Sequence, residues 1–404
     1  MPVSRRGFLR LIGATEEPAY SGAILSARGL EAHLADAQAQ GQTPRPVLPP
    51  GVDEIRISSN ENPLGPGKAA MDAILGKFPE AGRYPFNSTP TDSVLISTIA
   101  EKFKVKPENV VLGAGSQELL KSAMRAWVSK TKSLVTALPT FENCTGYAKR
   151  YELPIVEVKV DSEMRLDVDG MIAAASKGDC GLVFFNNPNN PTATVHGATT
   201  VTAMVERIRK ASPDTVILID EAYHDYVTDP SYESAVPLAL STPNVFVART
   251  FSKAYGMAGM RIGYALGMAE TMKPMATLKM PYNVSVFGVA AAIASLNDPQ
   301  HIADERARNT AVRDFTVKSL QDMGAKSAAS QGNFIFTDIG RPAKDFRDAC
   351  AKQGVMVGRD FPPFEKTHCR ISIGTMDEMK RAVDVFRVAL KGTSASASGE
   401  KGGR

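Results

Sequence analysis

Between residues 110 and 250 the chain repeats one unit: a short, continuously apolar run, a turn, then a stretch with helical spacing. The runs fall at 110–112, 133–137, 155–160, 181–185, 215–219 and 244–248, with helices predicted over 117–129 and 198–211. Strands that lack polar alternation are buried on both faces, and a parallel neighbour must be reached by a crossover long enough to hold a helix. The pattern therefore predicts an α/β fold with a large, doubly wound, mostly parallel sheet. Ligands of such sheets sit beyond the carboxyl ends of the strands.

After residue 296 the rhythm changes. Helices are predicted over 304–323, 344–353 and 376–390, and strands over 332–338 and 369–373, which together make a smaller α+β unit. The expected organisation is a large domain over 76–296 and a small one over 297–391, with an arm, 40–75, folded back onto the small domain. The Gly/Ser/Ala-rich tail 392–404 has too little apolar surface to order itself. Residues 1–39 read as an address instead of a fold. Ser4-Arg5-Arg6-Gly7-Phe8-Leu9-Arg10 is similar to a twin-arginine export signal, with small-residue cleavage sites at Ala37 and Ala39, although Glu16 and Glu17 interrupt its apolar segment. The expected location is outside the cytoplasm by that route, with a cytoplasmic protein as the alternative.

Composition narrows the partners. A net charge of +4 on 47 basic and 43 acidic residues gives no basic face for nucleic acid, and no run of apolar residues is long enough for a membrane span. Cys144, Cys180, Cys350 and Cys369 are far apart, and no histidine stands at metal-ligand spacing to another, so no metal site is expected.

The chemistry-bearing residues follow the strands. Run 110–112 opens Gly113-Ala114-Gly115-Ser116 at a helix start, and 181–185 leads to Asn189-Asn190-Pro191-Thr192. Run 215–219 ends in Asp220-Glu221-Ala222-Tyr223, and 244–248 in Arg249-Thr250-Phe251-Ser252-Lys253, with Arg261 beyond. A helix N-terminus at Gly115 and Ser116, the hydroxyls of Thr250 and Ser252 and the guanidinium of Arg261 suit a phosphate dianion. A carboxylate at a buried strand end, Asp220, needs a cationic or N–H partner, and a partly desolvated lysine, Lys253, can form a Schiff base. Phosphate, protonated ring nitrogen and aldehyde together describe pyridoxal 5′-phosphate.

With these residues in view, the chain resembles the fold-type I aminotransferases of class I/II, in the branch similar to histidinol-phosphate aminotransferase. The resemblance covers roughly residues 58–390. It is carried by Asn60-Glu61-Asn62-Pro63-Leu64-Gly65-Pro66, Arg83-Tyr84-Pro85, Gly113 to Glu118, Asn189 to Thr192, Asp220 to Tyr223, Ser252-Lys253-Ala254 with Arg261-Ile262-Gly263, and Arg370 to Gly374.

The resemblance implies roles. Lys253 carries the cofactor and moves the substrate proton, Asp220 keeps the pyridine nitrogen protonated, and Asn190 and Tyr223 bind the phenolic oxygen. Phe141 stacks on the ring. Gly115, Ser116, Gln117, Thr250, Ser252 and Arg261 hold the phosphate, and Tyr84 reaches the phosphate of a second subunit, so a homodimer is implied. Arg370 clamps the donor's carboxylate or phosphate, with Arg359, Asn333 and Asn62 on the substrate side.

The implied reaction is a ping-pong exchange between an amino donor, histidinol phosphate or an aromatic or other L-amino acid, and a 2-oxo acid. Two departures from the family pattern stand out: Ala193 replaces the usual glycine after Asn-Pro-Thr, and Gly358 shifts Arg359 along the chain and puts histidinol phosphate in question. A decarboxylase of a phosphorylated amino acid would share the whole cradle and differ in releasing carbon dioxide. A non-catalytic regulator that binds the cofactor would not depend on Lys253.

Overall fold

The computed structural model describes residues 54–85 and 91–391. The signal-like segment 1–39, the beginning of the arm at 40–53 and the tail 392–404 lie outside the described residues. The first strand, β1 (Ile55–Ile57), is followed by β2 (Val110–Gly113), β3 (Ser133–Leu138), β4 (Ile155–Lys159), β5 (Cys180–Asn186), β6 (Val216–Asp220), β7 (Val245–Thr250) and β8 (Gly263–Gly267). Seven of them form one sheet in the order β2-β8-β7-β6-β5-β3-β4. Pairing is parallel from β7 to β4, and β8 runs antiparallel to both β7 and β2.

The central strands β5, β6 and β7 are buried along their whole length. Alternate side chains enter different cores. Val183, Phe185, Ile217, Ile219, Val245 and Val247 join one, whereas Leu182, Phe184, Leu218, Phe246 and Ala248 join the other. The helix Ser116–Trp127 buries Leu119, Leu120, Ala123 and Met124 in the second core, and the helix Ala198–Ala211 buries Val201, Met204, Val205 and Ile208 in the first. Apolar cover on both faces is the physical reason these strands carry no polar alternation.

The strand read at 215–219 runs one residue further, so Asp220 is its last residue and pairs in register with Asn186 of β5 and Ala248 of β7. The strand β8 was not anticipated, because a five-residue segment with glycine at both ends has the composition of a turn.

The C-terminal part contains β9 (Lys326–Ser327), β10 (Phe334–Asp338), β11 (Val355–Val357) and β12 (His368–Ser372). Strands β12, β10 and β9 make an antiparallel sheet that places Phe336 opposite Arg370. Strand β1 pairs in parallel with β11, and Ile55 and Ile57 enter a core with Ile335, Phe346, Ile371, Met379 and Phe386. The rest of the arm goes elsewhere: the helix Lys68–Gly76 buries Ala70 and Ile74 beside Val289 and Ala292, in a core of the seven-stranded sheet. The long helix expected from residue 304 starts earlier, at Pro299, because the Asp298 carboxylate accepts from the His301 N–H and proline fits a first helical position.

Candidate active site

Two strand ends set the centre of the site. Asp220 is 2% exposed, and its Oδ1 has no hydrogen-bond partner among the described residues. Burial pushes its carboxyl up to about 7, helped by the Glu221 charge and opposed by the Ala222 N–H and by Lys253. A buried carboxylate oxygen left over in this way calls for a cationic N–H. Lys253 follows β7, with Nζ donating to the Ser59 carbonyl at 3.2 Å and lying 5.6 Å from the centre of the Tyr223 ring. Burial brings its ammonium down to about 8; Arg370 and Arg261 act the same way, and Glu61 and Asp220 oppose them.

The anion cradle lies where β2 and β7 end. Gly115 caps the helix Ser116–Trp127 with φ of 71°, and a Cβ there would stand 2.2 Å from Nη2 of Arg261. Arg261 donates to Ser252 Oγ at 3.4 Å and to the Ala258 carbonyl at 2.9 Å; Thr250 Oγ1 donates to Ser252 Oγ at 2.9 Å. A helix N-terminus, two hydroxyls and a guanidinium thus converge, as a phosphate requires. Gln117 is exposed on the first turn of that helix. Tyr84 is 63% exposed, with its ring 5.0 Å from that of Tyr282.

A buried network joins the remaining candidates. Arg370, on β12, donates from Nη1 to Asn190 Oδ1 at 2.8 Å and from Nη2 to the Ser58 carbonyl at 2.5 Å. Burial lowers its guanidinium to about 10. The Tyr223 hydroxyl accepts from Asn60 Nδ2 at 3.1 Å; burial raises it to about 12, against the pull of Arg370. Asn333 donates to the Asn60 carbonyl at 3.0 Å, and Asn62 donates to the Ala254 carbonyl at 3.0 Å and accepts from the Leu64 N–H at 2.9 Å. The amides of Asn333 and Asn62 therefore tie the arm to β10 and to the Lys253 loop. Phe141, half-buried, follows β3 and precedes Glu142, whose carboxylate binds Arg359.

The structure also reveals residues that were not singled out. Asn60, with φ of 55°, exchanges two hydrogen bonds with Ser372 in addition to its bond to Tyr223. Beneath Asp220, Glu221 is gripped by Arg249 at 2.8 and 3.0 Å and by Ser234 Oγ at 2.9 Å. Asn60 belongs to a motif visible in the sequence, but nothing in the chain order pairs Glu221 with Arg249. Ala193 has φ of 60°, the region where glycine is ordinarily preferred, which gives the family's glycine a backbone reason. No cluster of metal-ligating side chains occurs among the described residues.

The residues present fit pyridoxal phosphate: a buried carboxylate with one oxygen unpartnered among the described residues for the ring N–H, a cradle closed to any side chain at Gly115, and a lysine whose burial lowers its proton affinity. Fold and site together define a pyridoxal-phosphate enzyme of fold type I. Residues 52–386 match the family aminotransferase class I and II, and the chain belongs to it.

It is 34% identical over 339 residues to the histidinol-phosphate aminotransferase of Anaeromyxobacter sp. (strain Fw109-5), which is 82% of this chain and 90% of that one. With the enzyme of the same description from Bacillus subtilis (strain 168) it shares 31% over 341 residues, 84% and 93% of the two chains. Among solved structures, histidinol-phosphate aminotransferase from Sinorhizobium meliloti in complex with pyridoxal-5′-phosphate has a TM-score of 0.77 at 25% identity, covering 93% of this chain and 98% of that one. L-threonine-O-3-phosphate decarboxylase from Porphyromonas gingivalis, at 19% identity, shares the fold. The protein is a pyridoxal-phosphate-dependent transaminase.

Proposed function

We propose that the amino donor is read through one anionic group by Arg370 and that its amino group passes to a 2-oxo acid. The observation that carries this reading is Arg370 itself: a buried guanidinium beside Lys253 and Asn190, with Nε unpartnered among the described residues. Pyridoxal phosphate, when bound, supplies an aldehyde for the donor amine and an electron-withdrawing ring.

The chain does the rest. Gly115, Ser116, Gln117, Thr250, Ser252 and Arg261 would hold its phosphate, Asp220 would keep a proton at its ring nitrogen, Asn190 and Tyr223 would bind its phenolic oxygen, and Phe141 would stack on its ring. Lys253, with its proton affinity lowered by burial, takes and returns the proton at the substrate Cα. The names of the relatives supply L-histidinol phosphate as one candidate donor; the carboxylate of an L-amino acid suits the same guanidinium.

Adding single donors to cofactor-loaded protein, with no 2-oxo acid present, tests this. Loss of the visible absorbance band with a competent donor is expected, and Lys253→Ala should show none. Carbon dioxide release in place of an oxo product would replace the transaminase by the decarboxylase. Arg370→Lys should weaken every donor while leaving the band of the loaded protein intact; unchanged donor affinity would remove the clamp.

A second subunit is part of the same reading. Leu64, Met71, Leu75, Phe78 and Tyr282 are exposed large apolar side chains, and Phe78 packs on Phe287 as Tyr84 does on Tyr282. An apolar face of this kind suits a symmetric partner that brings Tyr84 to the neighbouring phosphate cradle. Light scattering should give a dimer for the wild type and a monomer for a Leu75→Asp/Phe78→Asp variant. The paired arginines at 5 and 6 support an extracytoplasmic location, which fractionation of cells carrying the Arg5→Lys/Arg6→Lys change would test.

A further inference from the structure

Arg359 does not stand free in the site. Glu142, the residue after Phe141, holds it in a bidentate ion pair: Nη1 donates to Oε1 at 2.6 Å and Nη2 to Oε2. The pair is half-exposed, with 38% of the arginine and 41% of the glutamate side chain open to solvent. Its geometry is built in. Gly358 donates to the Arg370 carbonyl at 2.9 Å, and a Cβ at Gly358 would lie 2.5 Å from that oxygen, so the extra residue that shifts Arg359 along the chain must be glycine. The carboxylate of Asp360, the next residue in the chain, is bound by Arg347 at 2.6 Å, and Asp360 accepts from Arg359 through its carbonyl. The guanidinium of Arg359 lies 4.3 Å from the centre of the Phe361 ring and that of Arg370 lies 4.8 Å from it. Two cations therefore approach the same buried ring, and one of them is already neutralised.

We propose that Glu142 is a specificity-determining residue: by occupying Arg359 it restricts the site to donors with one anionic group, read by Arg370, and an uncharged side chain. The proposal rests on the reading of Arg370 as the anion clamp. A donor with a second anionic group, or a phosphate dianion seeking two guanidinium forks, must displace Glu142. Arg359 then exchanges one carboxylate for another anion, and Glu142 is left unpaired beside like charge. The exchange yields no net attraction and adds repulsion. An uncharged side chain leaves the pair intact. The favoured substrates are thus monocarboxylic L-amino acids with apolar or aromatic side chains, ahead of phosphorylated or dicarboxylic donors.

The experiment uses cofactor-loaded wild type, Glu142→Gln and Glu142→Gln/Arg359→Leu, titrated by visible absorbance with two unreactive acids. 3-Phenylpropionate carries one carboxylate and succinate carries two. The wild type should bind 3-phenylpropionate more tightly. Glu142→Gln frees Arg359 and should tighten succinate by about tenfold, the scale of one charge-assisted bond, while 3-phenylpropionate changes by less than about twofold. The double variant should lose that gain.

In turnover, the ratio of kcat/KM for L-histidinol phosphate to that for L-phenylalanine should rise in Glu142→Gln, chiefly through KM. An unchanged or reversed succinate preference in Glu142→Gln, with both acids still binding, overturns the role of Glu142 alone. Failure of 3-phenylpropionate to bind the wild type, or binding unaltered by Arg370→Lys, overturns the clamp and this inference with it.

Discussion

Gly115 and Arg261 face each other so closely that a single methyl group on the glycine would stand 2.2 Å from Nη2 of the arginine. The arginine reaches this point from the segment between β7 and β8, held by Ser252 Oγ and the Ala258 carbonyl. The glycine is also the cap of the helix whose N–H groups point into the cradle, with a positive φ that favours a residue without a Cβ.

Gly115→Ala should therefore push the Arg261 fork out of place and strain the cap. We expect affinity for pyridoxal phosphate to fall by about tenfold or more, from the loss of one charge-assisted contact, with thermal stability of the cofactor-free protein falling by about 1 kcal/mol. Equilibrium titration of stripped protein with the cofactor checks it, and unchanged affinity would remove Arg261 from the phosphate site.

Lys253 predicts a pH dependence of cofactor loading. The neutral amine attacks the aldehyde, and burial has brought the ammonium down to about 8. Loading of stripped protein should slow by about tenfold for each pH unit below that value and level off above it. A rate still climbing in the same way up to pH 10 would mean that Lys253 titrates like an exposed lysine.

Asp220 predicts the opposite sign for stability without cofactor. Its folded value of about 7 lies above the ordinary carboxyl value of 3.8, so the folded carboxyl keeps a proton that the unfolded chain has lost between these limits. The stabilisation is fully present below pH 4 and disappears as the pH rises through 7, a change of at most about 4 kcal/mol. Denaturant melts of stripped protein should show Asp220→Asn equal to wild type at pH 4 and more stable at pH 8. Parallel pH curves for the two proteins would exclude a raised carboxyl.

The ion pair of Arg249 and Glu221 is almost closed to solvent, with side chains 10% and 1% exposed. Arg249→Met leaves the Glu221 carboxylate buried without its cation and should cost about 3–5 kcal/mol, read as a lowered denaturant midpoint. Arg249→Met/Glu221→Leu should recover part of that loss. A single variant as stable as wild type would show that the pair contributes no rigidity beneath Asp220.

Much of this molecule was legible along the chain. The apolar runs at 181–185, 215–219 and 244–248 could only be strands covered on both faces, and they became β5, β6 and β7 within one or two residues. Asn190, Asp220 and Lys253 announced themselves because they stand at successive strand ends, 30 and 33 residues apart, intervals that one crossover helix fills. Strand β8 did not, since its two glycines and five residues offer no local apolar signal strong enough to separate a strand from a turn.

Local periodicity and strand spacing are properties of neighbouring residues, so the sequence alone determined the doubly wound sheet, the edge where ligand chemistry gathers and the cofactor that such chemistry serves. Which charges meet is a different matter, because the partners lie far apart in the chain. Glu142 and Arg359 come together from the end of β3 and the loop after β11, and Asn60 reaches Tyr223 and Ser372 from the arm. Such pairings depend on how the C-terminal sheet packs across the strand ends. Tertiary structure decided that Arg359 is occupied, that one Asp220 oxygen has no partner among the described residues and that Arg370 stands beside Lys253. Burial, which only the folded chain creates, sets the proton affinities through which these groups work.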